Sequence, residues 1–355
     1  MNLKALWFMF QTFSPPPIFI IPGLGGSIIY NKLTKEEIWP PKIQSMLYSD
    51  IFLSNLNVTY KNQEFIPNTP SEVGPIGDTK HIKVVRNWMI PFLKHNYFHT
   101  FLNFFQLKYP RHEIQSVPYD FRIIANKNVR LELYDNMQKS IETKVLKDNK
   151  KAVIIAHSLG GLVLHDFLNQ QTPLWKKQNI EKIITINTPY IGSMKALGIL
   201  LGKGQLTIPV VRKIDYIQNI SSFLWLIPNP NFYLDRVLDN ETNITVASIR
   251  ELLGEELWER VQFHFKDEFL NMNVQNGVQT HIIYSSNIPT NEFLNKDSQN
   301  FVDGDGLIGV NSLTFPKTWK NQKLIHLYPM KNYDHTIILN SPELIQLIMK
   351  ILKKT

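Results

Sequence analysis

Short apolar runs alternate with amphipathic segments along most of this chain, and each run ends at Gly, Pro, Asn or Ser. Buried β-strands are predicted within "PIFIIPGLGG" (17–26) and at 152–156, 182–189, 278–286 and 323–329. Helical periodicity follows at 130–146, 160–171 and 341–352. Because buried strands alternate with amphipathic helices, the pattern predicts an α/β fold with a mostly parallel central sheet flanked by helices.

Two of the predicted helices have specific signals. In "RLELYDNMQKSIETKVL" (130–146), helical spacing puts five apolar side chains on one face: Leu131, Tyr134, Met137, Ile141 and Val145. In "SPELIQLIMKIL" (341–352), Ser341 is the predicted N-cap, Pro342 the first helical residue and Glu343 an acidic residue in the first turn. The second pattern closes the chain with a helix.

Three stretches do not follow the alternation. Residues 1–16 contain a lysine and a short apolar run, which indicates an N-terminal segment or a signal-peptide remnant ahead of one domain at 17–355. Residues 31–82 are rich in Asn, Pro and Trp and are predicted to be an insertion. Residues 194 to about 265 are apolar and aromatic but broken by Gly and Pro, which favours either a mobile cap or a packed extra subdomain.

A candidate nucleophile follows the run "KAVII". In "AHSLGG" (156–161) the spacing A-x-S-x-G differs from the nucleophile elbow G-x-S-x-G only in having Ala156 at the first glycine. Ser158 is therefore either a nucleophile or a small residue in a tight strand-to-helix turn. A five-residue pattern is weak, so the rest of the chain has to supply a base and a carboxylate.

The order of residues downstream of Ser158 supplies both partners. Among the histidines at positions 165, 264, 281, 326 and 335, His335 follows the last predicted strand and precedes the last helix, where a catalytic loop is expected. Asp305 lies between two glycines in "FVDGDGLIG" (301–309), a turn-rich loop in which Asp303 is the local alternative. Asp334 adjoins His335 and is poorly placed to orient its ring.

Two backbone N–H groups are candidates for an oxyanion hole. One belongs to Leu159, directly after the serine, and the other to Leu24 in the turn "PGLGG" after the first strand. Gly23 and Gly25 flank Leu24 and would allow an ester to approach closely. As a phosphate-binding loop, this turn would lack the P-loop Lys-Ser/Thr pair.

Composition narrows the function classes. The chain has no cysteine, which excludes disulfides, a cysteine nucleophile and cysteine-ligated zinc. Its net charge of +8 fits either a solvated lysine-rich surface or contact with an anionic lipid interface. No nucleic-acid-binding module is found in the sequence, so no nucleic-acid partner is predicted.

Motifs along nearly the whole chain resemble those of the lecithin:cholesterol acyltransferase family, and in pattern its lysosomal phospholipase A branch. The matching strings are "IFIIPGLGGSI", "PYDFR" (118–122), "AHSLGG", "PLWKKQNIEKIITINTPYIGS" (173–193), "DGDGLI" and "DHTIIL". The resemblance implies an α/β-hydrolase fold over 17–355, a membrane-contacting insertion and an apolar lid. It implies acyl-ester chemistry on glycerophospholipids without a metal or other cofactor, with Ser158, Asp305 and His335 as triad and Leu24 and Leu159 as oxyanion donors.

The same resemblance implies a peripheral contact with a phospholipid membrane or lipoprotein-like surface. The partners would be a lipid acyl donor and, as acceptor, water or a lipid alcohol such as a sterol. It favours a secreted location or a lysosomal or endomembrane lumen. Two other functions stay open: an esterase acting on other acyl esters, and a catalytically silent lipid-binding protein that keeps the fold.

"PYDFR" is the most family-specific string. Asp120 and Arg122 are expected either to pair structurally or to hold the floor of the site. Relatives typically carry Trp at the position of Phe121, Gly at that of Ile191 and Thr at that of Leu307, and they staple part of the cap with a disulfide. These departures leave the triad intact and the acyl donor and acceptor open.

Overall fold

The computed structural model describes residues 15–40, 54–83, 85–87, 94–109, 113–202, 217–233, 237–239, 244–245, 248–262, 277–292 and 301–353. The expectation for residues 1–16 lies almost entirely outside these ranges, as does His264. Parts of the predicted insertion and of the predicted lid also fall outside them.

Seventeen strands occur in the described ranges. In chain order they are β1 Ile18–Ile21, β2 Ile29–Asn31, β3 Glu37–Trp39, β4 Val58–Lys61, β5 Glu64–Pro67, β6 Ser71–Val73, β7 Val85–Asn87, β8 Lys94–Asn96, β9 Ile114–Ser116, β10 Ala152–His157, β11 Ile180–Ile186, β12 Val237–Asp239, β13 Ile244–Thr245, β14 Thr280–Ser286, β15 Ile288–Asn291, β16 Phe301–Gly304 and β17 Ile325–Lys331.

Six of these strands form the central sheet, in the order β17-β14-β11-β10-β1-β9. Every neighbouring pair is parallel. Ile21 lies opposite Ala156, and His157 opposite Ile186, so the carboxyl ends of β1, β10 and β11 are level. Ligands of open α/β sheets bind at this edge, and here the predicted site residues follow it.

Ten α-helices surround the sheet in the described ranges. They are α1 Tyr97–Lys108, α2 Lys127–Asp148, α3 Leu159–Asn169, α4 Pro173–Asn179, α5 Met194–Leu200, α6 Ser221–Trp225, α7 Pro230–Tyr233, α8 Ile249–Val261 (broken at Gly254), α9 Val310–Leu313 and α10 Pro342–Lys353. Short 3-10 turns lie at Thr79–Ile82, Phe315–Thr318, Gln322–Leu324 and Ile337–Asn340.

The helices cover both faces of the sheet because strand side chains alternate between them. Phe19 and Ile21 of β1 point to the face packed by α2 and α3, whereas Ile18 and Ile20 point to the face packed by α1 and α10. This three-layer arrangement confirms the predicted α/β fold, with its mostly parallel sheet flanked by helices.

The predicted strands and helices are confirmed with small shifts in their bounds, and the predicted burial of one side chain, Leu131, is wrong. The strand expected at 323–329 lies at Ile325–Lys331. Tyr134, Met137 and Ile141 are buried on α2 as predicted, but Leu131 is 42% exposed because Arg130 takes the buried position. Ser341 caps α10 as predicted, with its Oγ accepting from the Leu344 N–H at 3.1 Å.

The two irregular stretches pack against the core wherever they are described. In 31–82, β2, β3 and β6 form a small antiparallel sheet and β4–β5 a hairpin. In 194–265, α5, α6 and α8 bury side chains in the same cluster as α2 and α3. Across the described ranges, no helix is both long enough and apolar enough to cross a membrane.

Candidate active site

Ser158 lies at the turn between β10 and α3. Its backbone has φ 53° and ψ −128°, a conformation that a non-glycine residue rarely adopts and that is often found at functional sites. The turn is tight because Gly160 touches β1: a Cβ there would lie 2.5 Å from the Pro22 carbonyl oxygen. The elbow geometry predicted from "AHSLGG" is therefore present although Ala156 replaces the usual first glycine.

His335 and Asp305 reach Ser158 from two loops beyond the sheet. The His335 Nε2 lies 2.8 Å from the Ser158 Oγ, and its Nδ1 lies 2.6 Å from the Asp305 Oδ2. Since the carboxylate accepts from Nδ1–H, Nε2 is left as the acceptor for the serine hydroxyl. The structure thus brings together the three residues predicted from chain order.

The Asp305 carboxylate is fixed from both sides. Its Oδ1 accepts from the N–H groups of Leu307 and Ile308 at 2.9 and 2.7 Å, and the side chain is fully buried. Its backbone oxygen also accepts from the His335 N–H at 3.0 Å. The alternative, Asp303, is exposed and accepts from the Asn287 N–H instead. Geometry therefore favours Asp305.

The glycine turn after β1 packs directly against the serine. A Cβ on Gly23 would lie 2.7 Å from the Ser158 Cβ, so only glycine fits without movement. Leu24 and Gly25 line the cavity around Ser158. Leu159 is fully buried and begins α3, where helix N–H groups have no partner within the helix. Leu24 thus lies next to a glycine that packs on the serine, and Leu159 directly follows the serine; their role as oxyanion donors stays a prediction.

Sequence reasoning missed a hydrogen-bonded chain behind the serine. The Gly23 N–H donates to the Tyr97 hydroxyl at 2.8 Å, and that hydroxyl lies 2.5 Å from the His157 Nδ1. The His157 Nε2 lies 2.9 Å from the His335 carbonyl oxygen. Because a carbonyl can only accept, Nε2 carries the proton and Nδ1 accepts from Tyr97. One chain thus joins the glycine turn, the elbow and the His335 loop.

The His157 ring is neutral in this chain. Burial, followed by the proximity of His335, lowers the pKa of His157 to about 3, well below its ordinary value near 6.5. Asn187, at the end of β11, gives a second donor to the His335 carbonyl at 3.2 Å. Its side-chain oxygen accepts from the Ser285 N–H. The His335 loop is held through its backbone as well as through its ring.

Asp120 and Arg122 form a buried ion pair beneath the cavity wall. The Arg122 Nη2 lies 2.7 Å from the Asp120 Oδ2, and the Nη1 donates to the Asn55 carbonyl at 2.8 Å. Neither residue lines the cavity, whereas Phe121 between them does. The contacts favour the structural alternative: the pair holds "PYDFR" so that Phe121 faces the site.

The cavity beside Ser158 has a volume of about 500 Å³, which is ordinary for a small-molecule site. One wall is apolar and is made by Trp39, Leu56 and Phe121 together with Ile199, Ile220, Phe223 and Leu226 from the predicted lid. The same cavity is also lined by Ser158, Asp305, Asp334 and His335, and by Lys195. A long acyl chain would therefore be solvated by hydrocarbon while its ester faces the serine.

His165, His281 and His326, which also follow Ser158 in the chain, do not line the cavity. His165 is buried in α3 and stacks on Trp319. His281 and His326 stack on each other across β14 and β17. Among the described residues, no three His, Asp or Glu side chains form a group that could hold a metal ion.

Comparison with known proteins agrees with the motifs. The family model described as lecithin:cholesterol acyltransferase matches residues 90–302, more than half of the chain. The chain belongs to the lecithin:cholesterol acyltransferase family. Ser158 lies inside the matched stretch, whereas Asp305 and His335 lie beyond it, so their assignment rests on geometry.

Curated relatives of two kinds are similar to this chain over most of its length. Mouse phosphatidylcholine-sterol acyltransferase is 24% identical over 95% of this chain and 85% of its own. Rat lysosomal phospholipase A and acyltransferase is 23% identical over 87% and 83%. The two identities are nearly equal and do not separate the branches.

A solved structure supports the fold. The chain superimposes on one in the crystal structure of the Tle4-Tli4 complex with a TM-score of 0.51, over 97% of this chain and 99% of that one. At 12% sequence identity this likeness shows the fold alone. Together with the parallel sheet and its turn at Ser158, it confirms the α/β-hydrolase fold.

Proposed function

We propose that this protein is a serine-dependent acyl-ester hydrolase and O-acyltransferase that acts on glycerophospholipids. The observation that carries the proposal is the chain of contacts from Asp305 through His335 to the Ser158 Oγ, at 2.6 and 2.8 Å, at the wall of an apolar cavity. Family membership and relatives named as phosphatidylcholine-sterol acyltransferase and lysosomal phospholipase A and acyltransferase support the lipid substrate class.

The first half-reaction transfers the acyl group to the enzyme. The Ser158 Oγ attacks the ester carbonyl carbon while the His335 Nε2 takes the hydroxyl proton, and Asp305 stabilises the resulting imidazolium. The negative oxygen of the tetrahedral intermediate faces the N–H groups of Leu24 and Leu159. When the intermediate collapses, the ester C–O bond breaks and His335 returns the proton to the departing lysophospholipid oxygen.

The second half-reaction releases the acyl group. The acceptor hydroxyl gives its proton to His335 and its oxygen bonds to the acyl carbon. The bond to the Ser158 Oγ then breaks, and the serine recovers the proton. Water as acceptor yields a fatty acid, and a lipid alcohol yields a new ester. The acceptor that wins depends on how well the site excludes water and holds the competing alcohol.

Replacement of the serine tests the proposal. Ser158→Ala is expected to lower fatty-acid release from phospholipid vesicles by at least roughly a thousandfold, since no other residue takes the acyl group. The folded state should persist, because the change removes only one oxygen. Far-ultraviolet circular dichroism and the melting temperature provide the control. A variant that folds and turns over at the wild-type rate would contradict the assignment.

Product analysis separates the two fates of the acyl group. Phosphatidylcholine vesicles with and without a sterol are incubated with the enzyme, and free fatty acid and sterol ester are quantified. By its motifs, we assign the chain to the phospholipase A-like branch, which predicts fatty acid as the main product without acceptor. Sterol ester dominating over fatty acid in the mixed vesicles would place it instead with the sterol acyltransferases.

The proposal also assigns roles to the two stretches of the chain that do not follow the strand–helix alternation. We assign residues 31–82 to a membrane-contacting insertion and residues 194 to about 265 to a lid over the site. The supporting observation is that Ile199, Ile220, Phe223 and Leu226 put apolar side chains on the cavity wall. Membrane association would be peripheral, with the lipid acyl donor entering the site from the interface.

A further inference from the structure

Helix α6 carries part of the apolar cavity wall and is bonded to the rest of the protein at its first residue. Phe223 of α6 lines the cavity. The Ser221 N–H donates to the Arg122 carbonyl at 2.9 Å, and the Ser221 Oγ accepts from the Ala125 N–H at 3.1 Å. Ser221 is fully buried, so water does not compete for these bonds. They fix the first residue of α6 but not its other end.

The other end of α6 is in contact with a buried arginine. The guanidinium carbon of Arg130 lies 5.8 Å from the centre of the Trp225 ring, a distance at which a cation is attracted to the ring face. Trp225 is the last residue of α6 and is buried, which strengthens this attraction. The Arg130 Nη1 also donates to the Ala125 carbonyl at 3.0 Å. Ser221 and Arg130 therefore attach both ends of α6 to the segment that leads into α2.

The same guanidinium is paired with the helix that follows the nucleophile. The Arg130 Nε lies 3.0 Å from the Oδ2 of Asp166 in α3. The Tyr134 hydroxyl donates to the same oxygen at 2.7 Å, so the carboxylate is held from two positions on α2. Ser158 directly precedes α3. Arg130 thus connects α6, at the cavity wall, with the helix whose first turn adjoins the serine.

The ion pair between Arg130 and Asp166 is buried on both sides. Burial raises the pKa of the Asp166 carboxyl to about 6, while Arg130, Tyr134 and Gln170 act in the opposite direction. Because desolvation offsets much of the attraction, a buried ion pair is weak evidence for stability. Its clearest effect is geometric, since the planar guanidinium fixes the relative positions of the groups that it contacts.

We propose that Arg130 is a positioning residue that holds α6 against α3 and so sets the preference of the enzyme for long acyl chains. This inference rests on the proposed function. If α6 moved, Phe223 and its neighbours Ile220 and Leu226 would no longer form a continuous apolar wall. A long acyl chain has to lie along such a wall, whereas an acetyl group is too short to depend on it. Arg130 does not line the cavity, so it acts through α6 and not on the substrate.

The test compares a long and a short acyl chain on the same leaving group. p-Nitrophenyl dodecanoate and p-nitrophenyl acetate are supplied in the same nonionic detergent micelles, and each variant is compared with wild type on the same ester. Arg130→Lys keeps a positive charge for Asp166 but removes the planar fork that reaches Ala125 and Trp225. We expect it to lower kcat/KM for the dodecanoate by roughly tenfold, as for a partial loss of apolar contact. The loss on the acetate should be less than about threefold.

A second variant and a control complete the design. Trp225→Leu leaves the ion pair of Arg130 in place and removes the ring, so it tests the same contact even if Arg130→Lys is unstable. It should change the ratio in the same direction, and the losses of the two variants should not multiply when combined. Lys144→Met is the matched control, because Lys144 also lies in α2 and pairs with Glu113 and Asp148, each at 3.1 Å. It should lose stability in urea and keep the wild-type ratio.

Each outcome decides for or against the inference. Equal losses on both esters would show that Arg130 supports the fold in general, and an unchanged ratio in folded protein would show that α6 keeps its position without the fork. Either result, or losses that multiply in the double variant, overturns the inference and leaves the proposed function in place. Failure of the proposed function would appear in the wild type instead, as a lack of Ser158-dependent fatty-acid release from phospholipid vesicles.

Discussion

At the scale of single residues, the contacts around Ser158 extend beyond the three groups that share the proton. Tyr97 and His157 join the glycine turn of Gly23 to the carbonyl of His335. We expect neither side chain to exchange a proton with the substrate. Their expected role is to position the Leu24 N–H and the His335 ring relative to the serine.

Tyr97→Phe tests this positioning role. The change keeps the ring but leaves the Gly23 N–H and the His157 Nδ1 without their partner. We expect kcat to fall by roughly tenfold with little change in KM, and stability to fall by about 1–3 kcal/mol. Steady-state kinetics and urea unfolding measure the two effects.

Tyr30→Phe is the matched control for that variant, because it removes a hydroxyl that pairs with a histidine, His81, outside the cavity lining. Its kcat should equal that of wild type. If Tyr97→Phe raised KM and left kcat unchanged, the positioning role would be wrong and Tyr97 would instead act in substrate binding.

The buried His157 also predicts how stability depends on pH. Its folded-state pKa of about 3 lies below the value near 6.5 expected in the unfolded chain. Between these values the unfolded state binds more protons, so stability falls as pH decreases through this window. The contribution of one such group is up to about 1.4 kcal/mol per pH unit.

Comparison with His157→Gln isolates this contribution. Burial raises the pKa of the Asp166 carboxyl to about 6, which works in the opposite direction between roughly pH 4 and 6 in both proteins. Urea unfolding at pH 4, 5, 6 and 7 should show a steeper loss of stability toward acid in wild type than in His157→Gln. Parallel curves would mean that His157 is not held neutral by burial.

Ser158, Asp305 and His335 could be predicted from sequence because a short motif and a chain order define them. That Leu24 lines the cavity agrees with its position in the glycine turn, and its role as an oxyanion donor stays a prediction. Tyr97 and His157 could not be found in this way. Tyr97 belongs to a helix with no catalytic motif, and its partner His157 is 60 residues away in the chain.

At the scale of elements, the elbow depends on how closely β1 approaches α3. A Cβ at position 160 would lie 2.5 Å from the Pro22 carbonyl oxygen and 2.6 Å from that of Ile21. These are backbone atoms that cannot move aside as a flexible side chain can. The motif thus needs glycine at this position because the strand and the helix that carries the serine pack too closely to leave room for a Cβ.

Gly160→Ala tests this packing. We expect a destabilisation of roughly 1–3 kcal/mol or more, as for overpacking in a dense core, together with loss of activity. Ala156→Gly, which restores the usual first glycine of the motif, should cost less than about 1 kcal/mol and keep activity. Urea unfolding and fatty-acid release measure both. Equal stabilities of Gly160→Ala and wild type would contradict the close approach.

The periodicity of the sequence predicted the buried strands and amphipathic helices, but not the elements at the edge of the pattern. The edge strand Ile114–Ser116 has three residues, too few to show a period. In Tyr97–Lys108 apolar residues are dense, so the helical period is weak, although this helix covers one face of the sheet. Leu131 was misplaced because the buried Arg130 pairs with Asp166, a contact that periodicity does not detect.

At the scale of the whole molecule, the protein has an α/β-hydrolase core with an apolar cavity beside Ser158, and the chain carries a net charge of +8. A long acyl chain leaves a lipid aggregate for this cavity without losing its hydrocarbon surroundings. The positive charge adds attraction to anionic surfaces. Both features favour work at a lipid interface over work on dissolved esters.

A short-chain phosphatidylcholine tests this preference across its critical micelle concentration. We expect the rate per enzyme to rise more than saturation by monomers explains once micelles form. A water-soluble p-nitrophenyl ester serves as control and should follow simple saturation throughout. A hyperbolic curve with no rise at the micelle threshold would instead indicate an esterase of small soluble substrates.

The proposed mechanism depends on Ser158 being the group that becomes acylated, and a fluorophosphonate probe measures this most directly. The probe reacts with a serine activated by a neighbouring base, and peptide mass spectrometry locates the adduct. We expect one fast adduct on the peptide that contains Ser158, slowed by at least roughly a hundredfold in His335→Gln. No adduct on folded wild-type protein, or an adduct on another residue, would contradict this mechanism.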